Sequence, residues 1–257
     1  MIETDKANRK FVTAFARGLA VIEAFGPENR SMTLAKVAER TGLDRAVARR
    51  LLLTLVELGF AHVHERRFEL TSRVLRLAYS FLSSAGLGVS LQPFLDRLAR
   101  SIGETVSLSV LDEADVVFIA RSDVPGRRLS YIVTKGMRLP AFTAASGRIL
   151  LAHKPRAEVE QLLARTRLTR YTRHTTMQKR EIMGIIADAR AKGYSINYEE
   201  LQDGLVGISV PVFNRAGVVI AALNTSTSSA RARNEKMAGE FASKLKEGAA
   251  GLTAMLP

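Results

Sequence analysis

The amino-acid sequence predicts an α+β fold in two parts. A small helical unit closed by a β-hairpin is joined by one helix to a larger domain built on antiparallel strands. Three observations carry this expectation. Through the first 60 residues apolar side chains recur at three- and four-residue spacing, the period of amphipathic helices. The segment from Phe60 to Leu70 alternates about a charged tip, as paired strands do. Farther on, apolar runs separated by the turns Asp112-Glu113 and Asn214-Arg215-Ala216-Gly217 pair as hairpins with helices on either side, the pattern of helices segregated around an antiparallel sheet.

Taken in order, the first ten residues form a polar arm carrying Lys6, Arg9 and Lys10. Phe15, Leu19, Ile22 and Phe25 then mark a helix that Gly26-Pro27 stops. Ser31-Met32 leads into a second helix with Thr33 as its N-cap, although Lys36 stands where a capping box would place an acid. Leu34, Val37 and Ala38 line that helix, and Gly42 supplies the left-handed residue for a sharp turn. Asp44 offers its carboxylate to the amides of a third helix. On the third helix Val47, Leu51, Leu55 and Leu58 form an apolar stripe, which turns Arg45, Ala46, Arg49 and Arg50 elsewhere.

Two helices joined this way are either an ordinary helical hairpin with a solvated basic face or a helix-turn-helix, whose second helix enters the major groove of DNA. Arginine suits the second role, because its planar fork grips guanine or phosphate in bidentate fashion. The hairpin that follows is placed as the wing of a winged helix is, with Arg66 and Arg67 at its tip. His62 and His64 share a strand face there. Without a third ligand or any cysteine they are expected to be structural, and no metal is assigned.

Thr71 or Ser72 caps a connecting helix from Arg73 to Ser84, with Leu75, Ala78, Tyr79 and Leu82 on one stripe, and Ala85-Gly86-Leu87-Gly88 ends it. The resulting division is a DNA-binding domain at 1–72, a linker or dimerisation helix at 73–88 and a further domain at 89–257. That last domain is expected to hold a helix at Leu91–Ile102 and strands at Thr105–Leu111, Asp115–Arg121 and Leu129–Val133. An irregular loop at Gly136–Pro140 precedes helices near Ala144–Ala152, Arg156–Ala164 and Lys179–Lys192, with a basic loop at Arg165–Arg173. Strands at Tyr194–Asn197, Val206–Phe213 and Val218–Thr225 lead to a final helix from Arg231 to Leu256.

The 257 residues contain no cysteine, which excludes disulfides and thiolate chemistry. No apolar run approaches a membrane span and the N-terminus lacks an apolar signal core, so a cytoplasmic protein without a membrane partner is expected. The formal charge is +13, but the excess is not gathered in the DNA-binding part. Up to Arg73 there are 13 Lys and Arg against 9 Asp and Glu, and beyond it 25 against 16. The placement of Arg45, Arg49 and Arg50 therefore carries the DNA-binding expectation. No nucleophile elbow, phosphate loop, dinucleotide fingerprint or zinc-protease motif occurs. Ser146 reads as a helix-start residue rather than a nucleophile, and neither an enzyme nor a cofactor is expected. The alternatives of a small-acid-metabolising enzyme with a helical oligomerisation module, and of an adaptor using its helix pair for protein contacts, stay open at this point.

Three stretches in order, TLAKVAERTGLDRAVARRLLLTLVELGF, GMRLPAFTAASGRILLA and EELQDGLVGISVPVFNRAGVVIAALNTSTS, resemble the IclR family of bacterial transcription regulators. RRLLLTLVELGF is most similar to the branch that controls β-ketoadipate-pathway genes for aromatic-acid breakdown, such as the protocatechuate and 4-hydroxybenzoate regulators. The resemblance implies a winged helix-turn-helix, a linker helix that pairs two subunits, and a GAF-like effector-binding domain. It also implies a homodimer or dimer of dimers on a double-stranded operator, and a small aromatic or dicarboxylic acid as effector. Effector binding would then shift the relative geometry of the DNA-binding domains through the connecting helix.

Carried over by motif, the effector pocket is Arg128 and Tyr131, Ala145 and Ser146, Asn197, Gly207, Asn224 and Ser226. Some relatives place a polar or thiol side chain where Gly207 stands. Arg128 would clamp a carboxylate with the amides near Ser146, Tyr131 would pack on a ring, and Asn197, Asn224 and Ser226 would meet ring hydroxyls. Arg128 beside Arg127 is equally open to being a solvated loop residue.

Overall fold

Val21, Met32, Val37, Leu52, Leu55 and Phe68 come from separate helices and strands of the first 84 residues, yet they bury into one cluster. Their burial is what turns five short segments into a unit. The computed structural model describes residues 11–84, 91–124, 133–232 and 235–255. The expected N-terminal arm, the Ala85–Gly88 stop, Arg128, Tyr131 and residues 129–132 of an expected strand lie outside them. The chain divides into two units, Met1–Ser84 and Ala85–Pro257.

In the first unit, helix α1 spans Thr13–Glu23, strand β1 Ser31–Thr33, α2 Leu34–Thr41, α3 Arg45–Glu57, β2 Ala61–His64, β3 Arg67–Leu70 and α4 Leu75–Ser84. The expected lead-in Ser31-Met32-Thr33 is a strand, paired antiparallel with β3 through Met32 and Phe68, so the wing is a three-stranded sheet in the order β1-β3-β2. Three residues carry too little alternation to announce a strand. Its partner is distant in sequence, and burial of Met32 decides it. The stripe expected on α3 is also rotated. Ala48, Leu52 and Leu55 are buried, Val47 and Leu51 flank them half-buried, and Leu58 is 51% exposed. Steps of four residues overshoot a 3.6-residue turn, and the face that stays inward runs i, i+4, i+7. Thr71 caps a single 3-10 turn at Ser72–Val74 before α4 begins.

In the second unit, α5 is Leu91–Ile102, β4 Thr105–Asp112, β5 Asp115–Ser122, β6 Arg138–Pro140, α6 Ala145–Ala152, α7 Arg156–Arg165, α8 Lys179–Lys192, β7 Ser195–Tyr198, β8 Leu205–Phe213, β9 Val219–Ser228 and α9 Glu235–Met255. The six strands form one antiparallel sheet, ordered β6-β5-β4-β9-β8-β7. Part of the expected loop at Gly136–Pro140 is the edge strand β6. Leu139 is buried opposite Val116, and Arg138 reaches Asp112 and Asp115. Proline at its end is tolerated because an edge strand can spare the missing N–H. The final helix starts at Glu235 rather than Arg231. Arg231 and Ala232 instead turn back to the Ser228 carbonyl, and the Arg231 guanidinium pairs with the buried Glu104 at 2.7 Å.

Strand alternation gives the sheet two unlike faces. Val106 and Leu108 of β4, Leu223 of β9, and Val206, Ile208 and Val210 of β8 share one face with α5 and α9, where Gly248 lets α9 approach Leu98 and Leu223 closely. The opposite face, bearing Ser107, Ser209 and Asn224, lies under α6. No helix among the described residues is long and apolar enough to cross a membrane.

Candidate functional site

The helix pair is fixed by its ends. The Thr33 hydroxyl accepts from the Lys36 amide at 3.4 Å and the Asp44 carboxylate from the Ala46 amide at 2.7 Å. Gly42 sits at φ 66°, where a side chain would be strained. With Ala48, Leu52 and Leu55 turned inward, Arg45, Ala46, Arg49 and Arg50 are all exposed at the start of α3. The guanidinium groups of Arg45, Arg49 and Arg50 make no hydrogen bond or ion pair among the described residues, which leaves their donors available to a polyanion.

At the wing, Glu65 and Arg66 occupy the two central turn positions, both with positive φ, the twist that a two-residue hairpin requires. Arg66 is exposed at the tip. Arg67 is not a tip residue: it opens β3, and its guanidinium donates to the Ser31 carbonyl at 2.8 Å and hydroxyl at 3.1 Å. His62 faces Glu69 across the strands at 3.7 Å.

In the second unit the structure brings Ala145, Asn197 and Gly207 together. Gly207 pairs with Asn197 on one side and Ser226 on the other, and a Cβ built on it would stand 3.7 Å from the Ala145 Cβ and 3.9 Å from that of Asn197. Helix α6, eight residues long, opens over this row without a side-chain cap. Its first amides are the anion-favouring groups that helix N-termini offer. Gly147 makes the placement feasible, since any Cβ there would collide with the Ala141 backbone at 2.2 Å. Ser146 is 3% and Asn224 8% exposed, while Ser226 is half-buried. Asn197 is already employed: its amide nitrogen donates to the Thr143 carbonyl, and its oxygen accepts from the Glu200 amide at 3.0 Å. It positions the turn after β7 against the start of α6.

The buried pair Arg148 and Glu200 has no counterpart in the sequence-derived site. Arg148 donates from Nε to the Phe142 carbonyl at 2.8 Å and from both terminal nitrogens to the Glu200 carboxylate, which also accepts from the Thr176 amide at 2.8 Å. One arginine thus ties the loop before α6, the helix itself and the turn after β7 into a single frame. The available signal was an arginine inside the otherwise apolar ASGRILLA helix, since a buried charge demands a partner.

At the surface, His174, Glu199 and Asp203 bring one donor atom each within 4.8 Å of one another. His174 Nε2 accepts from Arg173 Nε at 3.0 Å, and the Gly204 backbone amide, followed by Ser229, holds the Glu199 carboxyl below its ordinary value. A cation there would compete with a guanidinium already in place.

A family model described as the IclR helix-turn-helix domain matches residues 14–64, and one described as the bacterial transcriptional regulator IclR C-terminal matches residues 79–254. The chain belongs to the IclR family. The helix-turn-helix with its free arginines is therefore the DNA-binding end of a transcription regulator, and the second unit is the family's effector-binding domain. Among curated relatives, the chain is 38% identical to the Pca regulon regulatory protein of Pseudomonas putida, over 90% of this chain and 79% of that protein. It is 39% identical to the p-hydroxybenzoate hydroxylase transcriptional activator of Acinetobacter baylyi, over 83% of this chain and 80% of that one. The crystal structure of an IclR homologue from Microbacterium hydrocarbonoxydans complexed with 4-hydroxybenzoate superposes with a TM-score of 0.77 at 25% identity, covering 95% of this chain and 98% of the other.

Proposed function

We propose that this IclR-family chain couples the binding of a small aromatic carboxylate to operator affinity, and so controls genes of aromatic-acid breakdown. The observation that carries this reading is the uncapped start of α6 poised over Gly207 on a buried sheet face. Amides at a helix start favour an anion, and Gly207 brings the sheet within contact distance of Ala145 and Asn197 without a side chain of its own. Names and bound ligands of the relatives point the same way, because the Acinetobacter activator serves p-hydroxybenzoate hydroxylase and the Microbacterium homologue holds 4-hydroxybenzoate. Arg128 and Tyr131, carried over by motif, supply a cation for the carboxylate and a ring for stacking.

The protein acts by binding rather than turnover, in the cytoplasm, and as a homodimer or dimer of dimers. Exposed apolar side chains on two helices of the first unit support the dimer. Phe11, Val12, Phe15 and Leu19 at α1, and separately Leu75 and Tyr79 one turn apart on α4, are between 40% and 69% exposed, apolar surface of the kind a second copy covers. Arg45, Ala46, Arg49, Arg50, Arg66 and Arg67 form the DNA-facing set, with Arg67 shaping the wing through Ser31. Titration calorimetry of the full chain with benzoate, 4-hydroxybenzoate and 3,4-dihydroxybenzoate tests the ligand class. Saturable binding is expected, and no heat from any of the three acids would exclude the reading.

A further inference from the structure

Helices α7 and α8 leave an open groove between them. Two adjoining clefts of about 410 and 370 Å³ share Arg156, Met183 and Ala187. Their apolar side is formed by Val159, Leu163 and Ile186, all members of the second unit's core. Their rim is cationic: Lys154, Arg156, Lys179, Arg180 and Arg190 line the clefts against one acid, Glu160. Gly184, exposed within α8, has nothing within 4 Å of where a Cβ would stand. Glycine inside a helix costs stability relative to alanine, and packing within the chain does not require it there. Its effect is to keep the groove open.

The chain beside the groove is basic without relief. From Gln161 to Arg180 it carries Arg165, Arg167, Arg170, Arg173, Lys179 and Arg180 and no acidic residue. All six are exposed, and none is ion-paired to a carboxylate among the described residues. Stability does not explain them. Lys179 and Arg180 open α8, the helix end that disfavours cations. Lys179 offsets this by donating to the Ala164 carbonyl at 3.0 Å, whereas Arg180 has no hydrogen-bond partner among the described residues. The loop at 166–178 is also pinned. Thr172 Oγ1 donates to the Glu199 carbonyl and Thr175 Oγ1 to the Glu200 carbonyl, each at 2.7 Å, and the Thr176 amide donates to the Glu200 carboxylate at 2.8 Å. Cations on a fixed backbone lose less freedom when a partner arrives.

We propose that the α7–α8 groove docks an acidic amphipathic helix of another protein. Apolar side chains at one-turn spacing enter the clefts at Met183, Gly184 and Ala187. Carboxylates on the flanks of that helix meet Arg180 at the rim and Arg165, the neighbour of the cleft residue Ala164. Nucleic acid would account for the cations but not for the apolar floor, because a phosphate backbone has nothing to bury there. A second copy of this chain fits no better. Each copy carries +13, and its acidic stretches, Asp112–Asp115 and Glu199–Asp203, lie at turns already engaged with Arg138 and Arg148. The groove shares no residue with the DNA-facing set or the effector set, so it adds a third partner to the regulator.

The test is fluorescence anisotropy of the full-length chain with a labelled helix-forming peptide of 14 residues, the length of α8, carrying leucine at one-turn spacing and glutamate and alanine elsewhere. Two control peptides replace every glutamate by lysine or every leucine by serine. Saturable one-to-one binding of the leucine-glutamate peptide alone is expected. It should weaken at least about ten-fold in Gly184→Leu, which fills the groove, and in Arg180→Glu, which reverses the rim charge. Urea unfolding confirms that both variants are folded, and operator affinity should hold in both. No saturable binding of that peptide, or equal affinity for wild type and Gly184→Leu, overturns the docking site. Equal binding of the serine peptide reduces the contact to charge alone and overturns it as well. Weaker operator binding by Arg180→Glu would assign the surface to DNA phosphates, and a smaller oligomer of Gly184→Leu in sedimentation would assign it to a second copy; either result overturns the proposal.

Discussion

Arg148 holds both carboxylate oxygens of Glu200 in an interior where the two residues are 1% and 6% exposed. Removing one partner leaves the other charge buried and uncompensated, so Arg148→Met is expected to cost about 3–5 kcal/mol. The double replacement Arg148→Met with Glu200→Leu should recover part of that loss. It cannot recover all of it, because the Phe142 carbonyl and the Thr176 amide lose their partners too. Urea midpoints of the single and double variants measure the difference.

Gly147 and Gly207 separate two uses of glycine, neither of which involves a positive φ. A Cβ at 147 meets backbone at 2.2 Å, so Gly147→Ala should unfold or displace α6, with a large drop in melting temperature. A Cβ at 207 meets only side chains at ordinary contact distance. Gly207→Ala should therefore fold with a melting temperature near wild type and lose effector affinity by occupying the space beside Ala145, which calorimetry reads directly.

Arg49 is exposed on α3 with no side-chain partner among the described residues, whereas Arg66 is exposed at the wing tip. Arg49→Ala is expected to weaken operator binding by about 1 to 3 kcal/mol more than binding to random DNA if the guanidinium reads a base edge. Arg66→Ala should weaken both DNAs alike and shallow the salt dependence by about one phosphate contact. Anisotropy titrations on operator and scrambled duplexes at several salt concentrations separate the two outcomes.

Burial, and secondly the nearby Arg190 charge, hold the His153 imidazole below its ordinary pKa. The folded state thus favours neutral His153 more than the unfolded chain does. The stability this contributes is present above the unfolded value near 6.5 and is lost as pH falls through the lower folded value. A His153→Gln variant should show a shallower decline in urea midpoint below pH 6.5 than the wild type.

The strongly periodic elements were legible in the sequence because their signals are local. The Thr33 and Asp44 caps, the Gly42 turn and the hairpins of β4 with β5 and of β8 with β9 depend on neighbours a few residues away. Elements defined by distant partners were not. Strand β1 exists because Met32 meets Phe68, and β6 because Leu139 meets Val116. On α3 periodicity selects Val47 and Leu51 where packing buries Ala48 and Leu52, while Leu55 lies inward as expected. In the effector domain, Ala145, Asn197 and Gly207, which motif resemblance names, lie side by side. Arg148, Ser109 and Ser195 do not stand out in the sequence. Their signal was present: T-V-S-L-S-V in β4, S-I-N in β7, G-I-S in β8 and N-T-S in β9 each alternate polar with apolar or threonine. Periodicity alone assigns such a polar face to water, and only the helix laid across it shows otherwise.

Operator binding followed by fluorescence anisotropy, with and without saturating 4-hydroxybenzoate or 3,4-dihydroxybenzoate, tests most directly the claim that one chain joins an acid-binding site to a DNA-binding site. The account predicts that at least one of these acids shifts the midpoint for the chain's own upstream DNA and leaves that for scrambled DNA comparatively unmoved, since a ligand alters an equilibrium only through unequal affinity for its states. Coincident operator curves with and without acid, under conditions where calorimetry shows the acid bound, would contradict it.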